Sequence, residues 1–98
     1  MEIRIFENII GFDWDQGNKT KNTTKHQVTN EECEEVFFDH RKKMLKDILH
    51  SGKEERYILI GQTKQTRLLF IVFTIRKDKI RVISARDLNN KEKKLCPA

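Results

Sequence analysis

The stretch Leu68-Leu69-Phe70-Ile71-Val72-Phe73-Thr74-Ile75 is apolar at seven of its eight positions. It is too short to span a bilayer, and it is apolar at odd and even positions alike. A strand of that kind is covered on both faces and sits in the middle of a sheet. Its surroundings supply the neighbours. Arg56 to Gly61 reads as a strand, and Gln62-Thr63-Lys64-Gln65-Thr66 as a polar turn. Lys77-Asp78 suits a tight turn into a last strand over Ile80 to Ala85. The second half of the chain is therefore a meander.

The first half reads differently. Ile3 to Ile10 reads as a first strand, weakest at Glu7, and Asp15 suits a helix cap. Residues 16–26 hold Gly17, Asn18, Asn22 and three threonines, so propensity alone makes them a loop. Thr29-Asn30-Glu31-Glu32 is a capping box ahead of a helix whose apolar stripe is Cys33, Val36 and Phe37. Lys42 to Leu49 is compatible with a helical extension or an exposed strand. Asn89-Asn90-Lys91-Glu92 opens a short basic C-terminal helix. Helices ahead of an antiparallel meander make an α+β fold, with the helices packed on the sheet.

Ninety-eight residues make one domain, spanning 1–98. The net charge of +5 and pI of about 9.4 favour a polyanion or an acidic partner protein. Cys33 and Cys96 make neither a disulfide framework nor a metal-ligand spacing, and His26, His40 and His50 with Cys33 match no zinc pattern. No metal and no cofactor is expected. The charged N-terminus lacks the apolar core of a signal peptide, and no run is long enough to enter a membrane. A cytoplasmic protein with reduced thiols is the expectation.

Register brings polar residues together. Closing the last hairpin on Lys77-Asp78 pairs Arg76 with Lys79, Thr74 with Arg81, Val72 with Ile83 and Ile71 with Ser84. Closing the earlier one with Gly61 opposite Arg67 sets Glu54 opposite Thr74 and Arg56 opposite Val72. Glu54, Thr74 and Arg81 then form one row, with Arg56 a row further on. Such a patch suits a phosphate, or else a surface ion-pair ladder of little energetic weight.

Four segments carry a family likeness. Phe12-Asp13-Trp14-Asp15, Asn22-Thr23-Thr24-Lys25-His26-Gln27-Val28, His50-Ser51-Gly52-Lys53-Glu54-Glu55-Arg56-Tyr57, and Arg67 to Arg76 continued by Ile80 to Arg86 follow one another in order. This ordered set, closed by Glu92, resembles the BrnT family of bacterial toxins over residues 5–94. The resemblance implies a RelE-like fold in which residues 16–26 are helical. It implies metal-independent RNA cleavage that blocks translation. It also implies a BrnA-type ribbon-helix-helix antitoxin as partner, with operator DNA engaged only through that antitoxin. Two departures stand out. Gln27 replaces the usual glycine, and the chain closes Lys94-Leu95-Cys96-Pro97-Ala98 without the family's tyrosine.

RNA carries its own nucleophile, the ribose 2′-hydroxyl. Cleavage needs in-line positioning, proton transfer, and stabilisation of charge on the phosphoryl oxygens. Arg81 and Arg86 are the candidates for phosphate, arginine's planar fork being suited to it. Strand alternation sets them on opposite faces unless the strand ends or bulges near Ala85. The competing readings are an Arg81–Glu54 pair and an exposed strand-end charge at Arg86. His26 is the acid–base candidate, or else a histidine capping a helix C-terminus. His50 is a weaker candidate beside Ser51. Glu54 suits a base or an orienting partner for Arg81. Lys19, Lys25, Arg56 and Arg67 suit the RNA backbone, or are solvated charges. Trp14 either stacks on a base or plugs the helix–sheet junction, and Phe37, Phe70 and Phe73 are core. Two other functions fit the same chain: a cleavage-deficient module that keeps antitoxin binding and operon repression, and an RNA-binding domain that does not cut.

Overall fold

The computed structural model describes residues 6, 8–48, 52 and 54–95. A five-stranded sheet runs in the order β1-β5-β4-β3-β2, built from β1 (Gly11–Phe12), β2 (Lys43–Lys46), β3 (Arg56–Gln62), β4 (Leu68–Arg76) and β5 (Lys79–Asp87). The apolar run is thus the central strand. β2 to β5 pair antiparallel, but β1 joins β5 in parallel, so the sheet is mixed and not the purely antiparallel one expected. The first strand is likewise two residues at Gly11–Phe12, beyond the stretch Ile3 to Ile10 in which it was expected; residues 1–5 and 7 lie outside the described set.

Helix α2 (Asn30–Phe37) forms where the capping box places it. The Thr29 hydroxyl accepts from the Glu32 amide, and the Glu32 carboxylate accepts from the Thr29 amide. Its buried stripe of Cys33, Val36 and Phe37 packs on Leu59, Leu69, Ile71 and Phe73. Helix α1 is a six-residue segment, Lys21–His26, so the helix that the family likeness implies over 16–26 covers only its second half, and residues 16–20 form a turn. The expected C-terminal helix is a single 3₁₀ turn, Glu92–Leu95, so α2 is the only helix longer than six residues among the described ones. Residues 43–46 resolve the ambiguous segment as an edge strand, with a lysine at each end.

Both hairpin registers decide which polar side chains share a face. β5 pairs with β4 as expected at Arg76–Lys79 and Thr74–Arg81, then shifts by one residue between Phe73 and Val72. Ile83 is the extra residue: Phe73 faces Val82, Val72 faces Ser84, and Phe70 faces Arg86. The expected Val72–Ile83 and Ile71–Ser84 pairs are therefore wrong by one. β3 lies two residues from its expected register, so Arg56 and not Glu54 faces Thr74. A slip of two leaves every side chain on its expected face.

The core is aromatic at its centre. Phe73 is fully buried, with ring centroids of Phe37, Tyr57 and Phe6 at 5.0, 5.5 and 6.0 Å. The Cys33 thiol lies beneath α2, and burial pushes its pKa up to about 12, which makes it an inert core group. Phe73→Ala is expected to cost about 3–5 kcal/mol. Urea unfolding monitored by circular dichroism measures it, and a loss near zero would place the core elsewhere.

Candidate functional site

The sheet face turned away from α2 carries Arg56, Ile58 and Ile60 from β3, and Phe70, Val72, Thr74 and Arg76 from β4. From β5 it carries Arg81, Ser84 and Arg86, since cross-strand partners share a face. The bulge at Ile83 decides this. Without it Arg86 would share a face with Val82; with it, Arg81 and Arg86 lie on one face, opposite Thr74 and Phe70. The convergence that alternation forbids is thus achieved, two residues before Ala85. The two rows are four β4 residues apart, roughly 13 Å along the strand.

At one end, Arg56, Thr74 and Arg81 form a single row. The Thr74 hydroxyl is committed to the Glu55 carbonyl at 2.8 Å, so it serves the sheet and not a ligand. Arg81 does not pair with Glu54. It donates two hydrogen bonds to Asp15, at 2.8 and 3.0 Å, with Asp13 at 3.5 Å. Asp15 belongs to a turn folded against β5. Its Oδ1 accepts from the Gly17 amide, and buried Asn18 donates to the carbonyls of Asp13 and Val82. Asp15 thus organises this turn in place of the expected helix cap. A Cβ at Gly17 would lie 2.9 Å from Arg81 Nη2, so a side chain there would have to shift the guanidinium. Arg81 in turn holds the Asp15 carboxyl below its usual range.

Glu54 pairs with Arg76 instead, at 2.7 and 3.0 Å, as the shifted register dictates. That hydrogen bond lowers the Glu54 pKa. A carboxylate so held is a poor proton acceptor and does not orient Arg81, which weakens both expectations for it.

At the other end, the Arg86 guanidinium lies over the Phe70 ring, 4.2 Å from its centroid, and donates two 2.7 Å bonds to Glu92. Glu92 is positioned by its own capping box with Asn89. Phe70 is therefore a platform for Arg86 on the far face and not the core residue expected. Phe37 and Phe73 are core, and Trp14 plugs the helix–sheet junction with Nε1 donating to Glu34.

His26 ends α1, beside Arg67 and Asp87, and so near the Arg86 end of β5, not the Arg81 end. Arg67 is bound to Asp87, Glu32 and two backbone carbonyls, so its guanidinium is engaged within the chain. Lys19 and Lys25 are exposed, and Arg56 is half-buried in the Arg81 row. His50 and Ser51 fall outside the described residues. The residues that sequence reasoning missed are the partners: Asp15 and Asp13 for Arg81, Arg76 for Glu54, Phe70 for Arg86. Asp15 sits in a motif quoted for its likeness, but nothing local announces a partner 66 residues away.

The profile of one protein family, described as the ribonuclease toxin BrnT of type II toxin–antitoxin systems, matches residues 14–92. The chain belongs to the BrnT family. No individual curated protein matches it. The matched segment contains Asp15, His26, Glu54, Arg81, Arg86 and Glu92, so both ends of the far face lie inside it. Membership makes this a ribonuclease-class toxin, with RNA as substrate and an antitoxin as partner. Among the described residues, no helix is long and apolar enough to cross a membrane.

Six carboxyls, Asp15, Glu32, Glu54, Glu55, Asp87 and Glu92, are lowered below their usual 3.8 or 4.5. In all but one a hydrogen bond from a cationic side chain is the leading cause. For Glu32, burial acts upward but is outweighed by the Thr29 amide and Arg67. A group lowered in the folded state stabilises above its unfolded pKa, and that stability is lost as pH falls through the folded value. The melting temperature of this BrnT protein is therefore expected to be level from about pH 7 to about pH 5 and to fall steadily below about pH 4.5. A flat profile down to about pH 3 would show that these pairs carry no net stability.

Proposed function

We propose that this BrnT protein is a metal-independent endoribonuclease that binds the RNA backbone across the far face of its sheet and inhibits translation in the cytoplasm. The single observation that carries the reading is the pair of arginines, Arg81 and Arg86, which the Ile83 bulge sets on that face. Each guanidinium is presented as a fork already satisfied by a carboxylate, Asp15 at one end and Glu92 at the other. A backbone phosphodiester offers the same two-oxygen geometry and the same single charge, and further charge develops on those oxygens as the 2′-oxygen attacks. In this scheme the scissile phosphate displaces Glu92 from Arg86, and charge developing on its oxygens is stabilised there. Arg81, released from Asp15, holds a neighbouring part of the backbone roughly 13 Å along the sheet. His26, at the Arg86 end, is assigned the proton transfer at the ribose or the leaving oxygen. Lys19, Lys25 and Arg56 supply a sequence-independent, salt-sensitive attraction. The antitoxin is proposed to be of the BrnA type, a ribbon-helix-helix protein through which alone the toxin reaches operator DNA.

One observation favours a second reading. Because the carboxylates of Asp15 and Glu92 already occupy both forks, the same geometry fits a cleavage-deficient toxin homologue that serves as an antitoxin-binding partner in operon repression.

Cleavage of a labelled RNA by purified protein in EDTA separates the two. The wild type is expected to cut, and Arg86→Ala to lose about 10²–10³-fold while remaining folded. Arg81→Ala is expected to lose activity as well, with a larger rise in KM. Absence of cleavage by folded wild type, with antitoxin binding retained, would establish the second reading.

A further inference from the structure

Arg67 spreads its guanidinium over four different residues. Its Nε and Nη2 donate to Asp87 at 2.7 and 3.1 Å, and its Nη1 donates to Glu32 at 3.0 Å and to the Gln27 carbonyl at 2.9 Å. Nη2 also reaches the His26 carbonyl at 3.3 Å. One guanidinium thereby joins the end of α1, the start of α2 and the end of β5.

The two carbonyls are the informative partners. They belong to the end of a helix, where carbonyls lack intrahelical donors. Gln27 has φ 57, the left-handed conformation that ends α1, with its amide donating to the Thr23 carbonyl at 3.2 Å. Glutamine is strained there where glycine is not. α1 itself has six residues and no stability of its own. A short helix with a strained exit needs an external tie, and Arg67 supplies it, together with the Thr23 hydroxyl bond to the Val28 carbonyl at 3.0 Å.

We infer that Arg67 is a positioning residue that clamps the strained His26–Gln27 turn and so sets the His26 imidazole against the end of β5, instead of contacting RNA. This deepens the proposed cleavage reading and rests on it for the role of His26. Asp87 of β5 feels the charge of His26, and Arg67 reaches the His26 carbonyl, with Lys25 next to it in sequence. Lysine cannot replace the clamp, because an ammonium has no planar fork to serve Asp87, Glu32 and two carbonyls together.

Three variants of the full chain test this: Arg67→Lys, Gln27→Gly, and both together. Arg67→Lys is expected to lower kcat on the order of ten- to a hundredfold with KM unchanged. It is expected to shift the His26 ring resonances in an NMR pH titration, assigned with His26→Gln. Adding Gln27→Gly, which removes the strain that the clamp restrains, is expected to restore most of both. A raised KM with a weaker salt dependence, unrepaired by Gln27→Gly, would make Arg67 an RNA contact and overturn the inference. If the wild type does not cut RNA, the proposed function fails and the NMR arm still decides. His26 resonances moved by Arg67→Lys and restored by Gln27→Gly support the clamp, and unmoved resonances overturn it. If Arg67→Lys does not fold, a folded double variant supports the clamp. Two unfolded proteins would mean that Arg67 holds the whole fold and not this turn.

Discussion

One extra residue in β5 governs which side chains of this protein face the same way. A strand is a strict two-fold alternator, so Arg81 and Arg86, five positions apart, belong by default to opposite faces. The insertion of Ile83 breaks that parity once. Upstream of it Ile80 and Val82 enter the core, downstream Ala85 does, and the arginines fall together on the other side. Hydrophobic burial and the shared face of the two arginines are thus satisfied by the same irregularity. Keeping the parity would drive a guanidinium into the layer between sheet and α2, where an unpaired charge is costly.

The electrostatics of that face follow from pairing more than from surplus. The chain has five more basic than acidic residues, yet Arg67, Arg76, Arg81 and Arg86 all sit on carboxylates. These ion pairs are partly exposed, so each adds little to stability by itself. Their value is orientational: the forks are held open in fixed directions and are not swept through rotamers. Exchange of a side-chain carboxylate for a phosphate then requires little rearrangement of the guanidinium.

Much of this was legible beforehand, and the remainder failed for definable reasons. The central strand and the Thr29 box are local signals, visible in a window of a few residues, and both stand. The Lys77-Asp78 turn gave the correct pairing as far as Thr74–Arg81. It then failed at Ile83, because nothing in Ile-Arg-Val-Ile-Ser-Ala distinguishes a bulged strand from a regular one. The Gln62–Thr66 loop leaves its closing pair open by two residues, which exchanged Glu54 for Arg56 in the Arg81 row. α1 was invisible to propensity because its stability is tertiary, and only the family likeness anticipated it. The likeness also marked Gln27 as standing where the family has glycine, and its φ of 57 is the left-handed conformation that glycine suits.

The partners of Arg81 and Arg67 have a consequence for how the molecule comes to be active. The hairpins close over a few residues, whereas Arg81–Asp15 spans 66 positions, Asn18–Val82 spans 64, and Arg67–Gln27 spans 40. Loop-closure entropy makes such long-range joins the slow and late events of folding. The meander's own hairpins need none of these closures, so the seat of Arg81 demands an ordering of the chain that the strands alone do not.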